Sequence, residues 1–121
     1  MVLKILWITD DQIHHKEIFI CNWKETGKLI LTRDFLVIDN IDFVIVDYGH
    51  LNNINNVNVL KEYFLKNIPI IWSGGFGGTN RYSKDSEKVF PKEKWLHKIE
   101  SVELSDLIWY VNDYFKKTKN N

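Results

Sequence analysis

The sequence predicts an α/β fold built on a parallel sheet, and three observations predict it. Leu3–Ile8, Phe43–Val46 and Ile68–Trp72 are short, nearly continuous apolar runs, the habit of strands buried on both faces. Segments with helical spacing separate them. Each run also ends at a polar or glycine residue, which marks where a strand stops.

Taken in order, Leu3–Ile8 is the first strand and Gln12–Thr26 the first helix. Ile13, Phe19, Ile20 and Trp23 share one face of that helix, and Gly27 is its C-cap. Lys28–Arg33 is the second strand, and Asp34–Asn40 is at most a helical stub. Phe43–Val46 is the third strand. Asn55–Lys66 follows as a helix with Val57, Leu60, Tyr63 and Phe64 on its stripe, closed off by Pro69. After the fourth strand, Ile68–Trp72, come a Gly-rich loop at Gly74–Gly78 and a short turn of helix at Ser83–Phe90. Lys94–Ile99 is the fifth strand. The last helix, capped by Ser105 or Ser101, carries Leu104, Leu107, Ile108, Val111 and Phe115 on one side. Strands alternating with helices imply right-handed crossovers. Five strands in this space suit a flavodoxin-like doubly wound sheet of order 2-1-3-4-5 in three layers, with shortened second and fourth helices.

Composition narrows the function. The chain of 121 residues is the size of one domain, 1–121. Sixteen Lys plus Arg balance sixteen Asp plus Glu, which argues against an electrostatic grip on nucleic acid or an anionic membrane. Cys21 is the lone cysteine, so an internal disulfide is excluded and a reducing cytoplasm is expected. No run approaches the roughly 18 to 20 apolar residues of a membrane helix. His14, His15, His50 and His97 lack zinc-ligand spacing. The Gly74–Gly78 loop lacks the Gly-Lys-Ser/Thr ending of a phosphate loop.

In an open parallel sheet the functional crevice lies beyond the carboxyl ends of the strands. The residues ending the apolar runs are Asp10 and Asp11, Asp47, Ser73 and, on the predicted fifth strand, Lys98, with Lys92 and Lys94 competing for its role. Three carboxylates at one rim need a counter-charge, because like charges raise one another's pKa. Oxygen-only ligands select Mg²⁺ or Mn²⁺. A carboxylate beside such a cation can accept a phosphoryl group, with a lysine and a hydroxyl holding the other oxygens.

These residues resemble the receiver domains of two-component response regulators. Lys4-Ile-Leu-Trp-Ile-Thr-Asp-Asp-Gln12 is similar to the family's first strand with its acidic pair, and Asp42-Phe-Val-Ile-Val-Asp-Tyr-Gly49 to its third. The resemblance implies that Asp47 is the phosphoacceptor and that Asp10, Asp11, Asp47 and the Gly49 carbonyl hold the metal. Ile68-Pro-Ile-Ile-Trp-Ser73 is similar to the fourth strand with its terminal hydroxyl, and Trp95-Leu-His-Lys98 to the fifth. Lys98 would then contact the phosphoryl group and Trp95 take the aromatic-switch position. A sensor histidine kinase or small phosphodonor upstream and an output protein downstream are also implied.

The sequence departs from the family where Ile99 follows Lys98 in place of proline, and where no Met-Pro pair follows Asp47. Two other readings use the same residues. One is a degenerate receiver that binds a partner protein constitutively, and the other is a small Mg²⁺-dependent phosphohydrolase. As a switch, the chain would have at most self-dephosphorylation as an activity.

Overall fold

The computed structural model describes residues 3–9, 17, 27–47, 54–73 and 88–119. Of the predicted first helix, only Glu17 falls within these, and it is helical and exposed. The Gly74–Gly78 loop lies outside them. Five strands, β1 (Leu3–Ile8), β2 (Gly27–Thr32), β3 (Phe43–Asp47), β4 (Ile70–Ser73) and β5 (Ser101–Val102), form one sheet in the order β2-β1-β3-β4-β5. Every pairing is parallel. Helix α1 spans Ile54–Leu65 and α2 spans Leu107–Lys119.

The central strands are buried on both faces, and the two faces have separate cores. Leu6, Ile8, Val44, Val46, Ile70 and Trp72 pack with Val57, Leu60 and Tyr63 of α1. The alternate residues Ile5, Trp7, Phe43, Ile45 and Ile71 pack with Leu107 and Val111 of α2. Helices on opposite faces of a parallel sheet make three layers, the arrangement that right-handed crossovers produce.

Chain ends of elements are tied by specific bonds. Asp42 accepts a hydrogen bond from the Lys4 backbone N–H at 2.8 Å, and its own N–H donates to the Lys4 carbonyl at 2.7 Å. This pins the start of β1 beside the start of β3. Helix α1 stops in a Schellman motif: Asn67 N–H donates to the Phe64 carbonyl and Ile68 N–H to the Tyr63 carbonyl. Asn67 adopts φ 61°, a left-handed conformation that asparagine tolerates better than most residues.

Four sequence expectations need correction. Gly27 begins β2 instead of capping a helix. No described residue between Arg33 and Asp42 is helical, so the second helix is absent instead of short. There the Tyr63 hydroxyl donates to the Leu36 carbonyl at 2.5 Å and accepts from the Ile38 N–H at 2.8 Å. One side chain of α1 thus satisfies backbone that a helix would otherwise have paired. The fifth strand is Ser101–Val102, not Lys94–Ile99, and Ser101 is therefore strand instead of cap. Within the earlier segment, Leu96–Lys98 is a 3₁₀ turn. Leu96 and Ile99, three residues apart, are both buried against the α1-side core, a spacing that suits a turn of helix and not a strand. Phe64 is 44% exposed, so it stands at the margin of the α1 stripe.

Replacing Tyr63 by Phe should cost about 1–2 kcal/mol in urea unfolding, since it strands both an N–H and a carbonyl. Burial pushes the Tyr63 hydroxyl above its ordinary value. Burial, then the hydrogen bond to Glu100, does the same to Tyr110. A tyrosine whose folded pKa exceeds its unfolded value near pH 10 stabilises the fold fully below that pH and loses the contribution above it. The melting temperature of the wild type should therefore fall above about pH 10, and the fall should be shallower in Tyr110→Phe.

Candidate functional site at the carboxyl rim of the sheet

Parallel pairing brings the strand ends level. Ile8 pairs with Val46, so Thr9 stands beside Asp47, and Asp47 pairs directly with Ser73. Ser73 in turn pairs with Val102. Trp7, Thr9, Asp47 and Ser73 all have the parity of the α2-side face, because successive strand residues alternate between faces.

Asp47 is partly buried at the end of β3, and both of its oxygens are engaged. The Trp7 indole N–H donates to Oδ1 at 2.7 Å. The Thr9 hydroxyl donates to Oδ2. Trp7 and Thr9 are both fully buried. A tryptophan in β1 can reach Asp47 because residues diagonal to one another across a strand pair lie within range of a large side chain. Two donors aimed at one carboxylate favour its ionised form and fix its plane. Ser73 is 1% exposed, and among the described residues its Oγ has no hydrogen-bond partner. A buried hydroxyl without a partner carries a desolvation penalty that a ligand oxygen would relieve.

The remaining predicted residues divide in two. Asp10, Asp11 and Gly49 lie outside the described residues. Among the described residues no cluster of three or more metal-ligating His, Cys, Asp or Glu side chains occurs. Lys98 and Trp95 are placed elsewhere. Lys98 is exposed on the 3₁₀ turn that precedes β5, so it sits at the amino edge of the sheet, opposite Asp47. There it borders a groove of about 350 Å³ together with Asn67, Pro69 and Tyr114. Trp95 lies at the same edge, its ring 5.0 Å from that of Phe64 and its indole N–H donating to Glu93 at 2.7 Å. Glu93 also pairs with Lys61 at 3.5 Å. Where a lysine was expected at the end of β5, the chain has Val102 and Glu103. Trp7 is an aromatic residue that does touch Asp47.

Trp7 and Thr9 were not anticipated as site residues. The signal lies in β1, where the strand's one aromatic residue is an indole whose N–H needs an acceptor once buried. Only the β1–β3 register identifies that acceptor. Without a ligand, Ser73→Ala should leave stability unchanged or raise it by up to about 1 kcal/mol, because it deletes an unpaired buried hydroxyl. Thermal unfolding of the two proteins checks this.

No family model matches the chain, and no curated protein matches it. Among solved structures, the chain is similar to the receiver domain of the Francisella response regulator 1452. The likeness has a TM-score of 0.65 and 17% identity, and covers 96% of this chain and 98% of that one. At that identity the likeness is one of fold, and it agrees with the strand order, the parallel pairing and the helices on both faces. The chain has the fold of a response-regulator receiver domain.

Proposed function

We propose that this chain is a signalling switch of the receiver type that takes a phosphoryl group on Asp47. The observation that carries the reading is the level pairing of Asp47 with Ser73, a buried hydroxyl without a partner among the described residues. Thr9, bonded to the same carboxylate, directly precedes Asp10 and Asp11 in sequence.

Asp10, Asp11, Asp47 and the Gly49 carbonyl would hold Mg²⁺ or Mn²⁺, and this all-oxygen donor set fits a hard cation. When bound, the cation would neutralise charge on the phosphoryl oxygens. The Asp47 carboxylate would attack phosphorus, and Ser73 would donate to a phosphoryl oxygen. This reading leaves out Lys98 and Trp95, which lie at the opposite edge. The phosphoryl source would be a sensor histidine kinase or a small phosphodonor in the cytoplasm, and the modified state would be read by an output protein.

A second reading, a degenerate receiver that binds its partner constitutively, is favoured by two observations. Both oxygens of Asp47 already accept hydrogen bonds from buried donors. The end of β5 offers Glu103 in place of a cation.

Incubation with acetyl phosphate and Mg²⁺ separates the two. The switch should gain the mass of one phosphoryl group in the wild type and none in Asp47→Asn. Mg²⁺ at a hundred times its dissociation constant should stabilise the wild type by about 2.7 kcal/mol. A wild type that neither gains mass nor responds to Mg²⁺ would be the constitutive module.

A further inference from the structure

Trp7 stands next to the carboxyl end of β1, a central strand. It is fully buried, it belongs to the core that Leu107 and Val111 of α2 share, and its indole N–H donates to Asp47 Oδ1 at 2.7 Å. The indole nitrogen is a donor only, so while buried it depends on whatever acceptor Asp47 presents. The other oxygen, Oδ2, is met by the Thr9 hydroxyl, a group that can rotate and also accept. The two carboxylate oxygens are therefore not equivalent. One is anchored to a rigid ring inside the α2-side core, and the other is held by a hydroxyl rotor.

We propose that Trp7 is the positioning and sensing residue of this rim. It anchors Oδ1, leaving Oδ2 as the oxygen that takes the phosphoryl group, and it relays the charge state of Asp47 to the core beneath α2. The inference rests on Asp47 being the phosphoacceptor. In the transfer step an electron pair of Oδ2 forms the new bond to phosphorus. The bond from phosphorus to the donor's leaving atom, an oxygen in acetyl phosphate or an imidazole nitrogen in a phosphohistidine, breaks, and that atom departs with its electron pair. The Thr9 hydroxyl turns away from Oδ2 to another acceptor. Oδ1 becomes the neutral carbonyl oxygen of an acyl phosphate. The Trp7 bond then changes from charge-assisted to neutral, about half as strong. A ring packed among Ile5, Phe43, Ile45, Leu107 and Val111 feels that change directly. No lysine at the end of β5 is needed for this route, and the aromatic ring that responds sits in β1.

The test is ¹⁵N NMR of tryptophan-labelled protein, with the Trp7 Nε1–H resonance assigned by its loss in Trp7→Phe. Asp47→Asn replaces the carboxylate with a neutral amide whose oxygen can still accept. It should move the Trp7 Nε1–H signal upfield while leaving the Trp95 signal in place. Mg²⁺ with beryllofluoride should move it in the same direction in the wild type. Trp7→Phe, which keeps a ring but deletes the N–H, should be phosphorylated by saturating acetyl phosphate roughly tenfold more slowly. An unchanged Trp7 signal in Asp47→Asn, or bound beryllofluoride in the ¹⁹F spectrum with an unmoved Trp7 signal, overturns the sensing role. An unchanged phosphorylation rate in Trp7→Phe overturns the positioning role. Failure of the phosphoacceptor reading looks different: no bound fluoride in the wild type, with the Asp47→Asn shift still present.

Discussion

Parallel strands that are hydrogen-bonded along their length run in one direction, so their carboxyl ends meet at one edge of the sheet. The register here places Thr9, Asp47, Ser73 and Val102 across adjacent strands at that edge. The site depends on this single constraint. A slip of one residue in the β1–β3 pairing would turn Trp7 and Thr9 to the other face and away from Asp47. The apolar runs oppose such a slip because two different cores, one under each helix, would both be mispacked. The chemistry of the rim is thus held in place by core packing.

The same constraint explains how a partly buried carboxylate is accommodated in a largely apolar sheet. Removing charge from water is costly unless hydrogen bonds replace the lost hydration. Trp7 and Thr9 supply them from within the structure. Ser73, one strand away, has no such partner among the described residues. The rim therefore combines a carboxylate with a buried donor on each oxygen and a neighbouring buried hydroxyl without a partner among the described residues.

At the opposite edge, different forces operate. Trp95 stacks on Phe64 and donates to Glu93, which also pairs with Lys61, and Tyr110 donates to Glu100. The contacts to Phe64 and Lys61 hold the segment before β5 against α1, and the Tyr110–Glu100 bond ties it to α2. No helix among the described residues is long and apolar enough to cross a membrane.

Much was legible from local pattern. The runs at Leu3–Ile8 and Phe43–Val46, the stripe of Val57, Leu60 and Tyr63, and Leu107 with Val111 on the last helix are local periodicities, and local periodicity reports which faces must be buried. The parallel sheet followed from alternating strands and helices with right-handed crossovers, its order from the doubly wound arrangement that five strands in this space suit, and Asp47 was readable as a strand-end carboxylate because its apolar run stops there. The position of Lys98 was not readable. Lys94–Ile99 contains enough apolar residues to pass for a strand, and only the packing of Leu96 and Ile99 against the α1-side core makes it a turn of helix. Nor was the Trp7–Asp47 bond, which joins residues 40 positions apart. The sequence by itself determined which stretches of the central strands and of the two helices are buried, because that information is local. Tertiary structure decided which ends meet, because register and the alternation of faces are settled by the packing of the whole sheet.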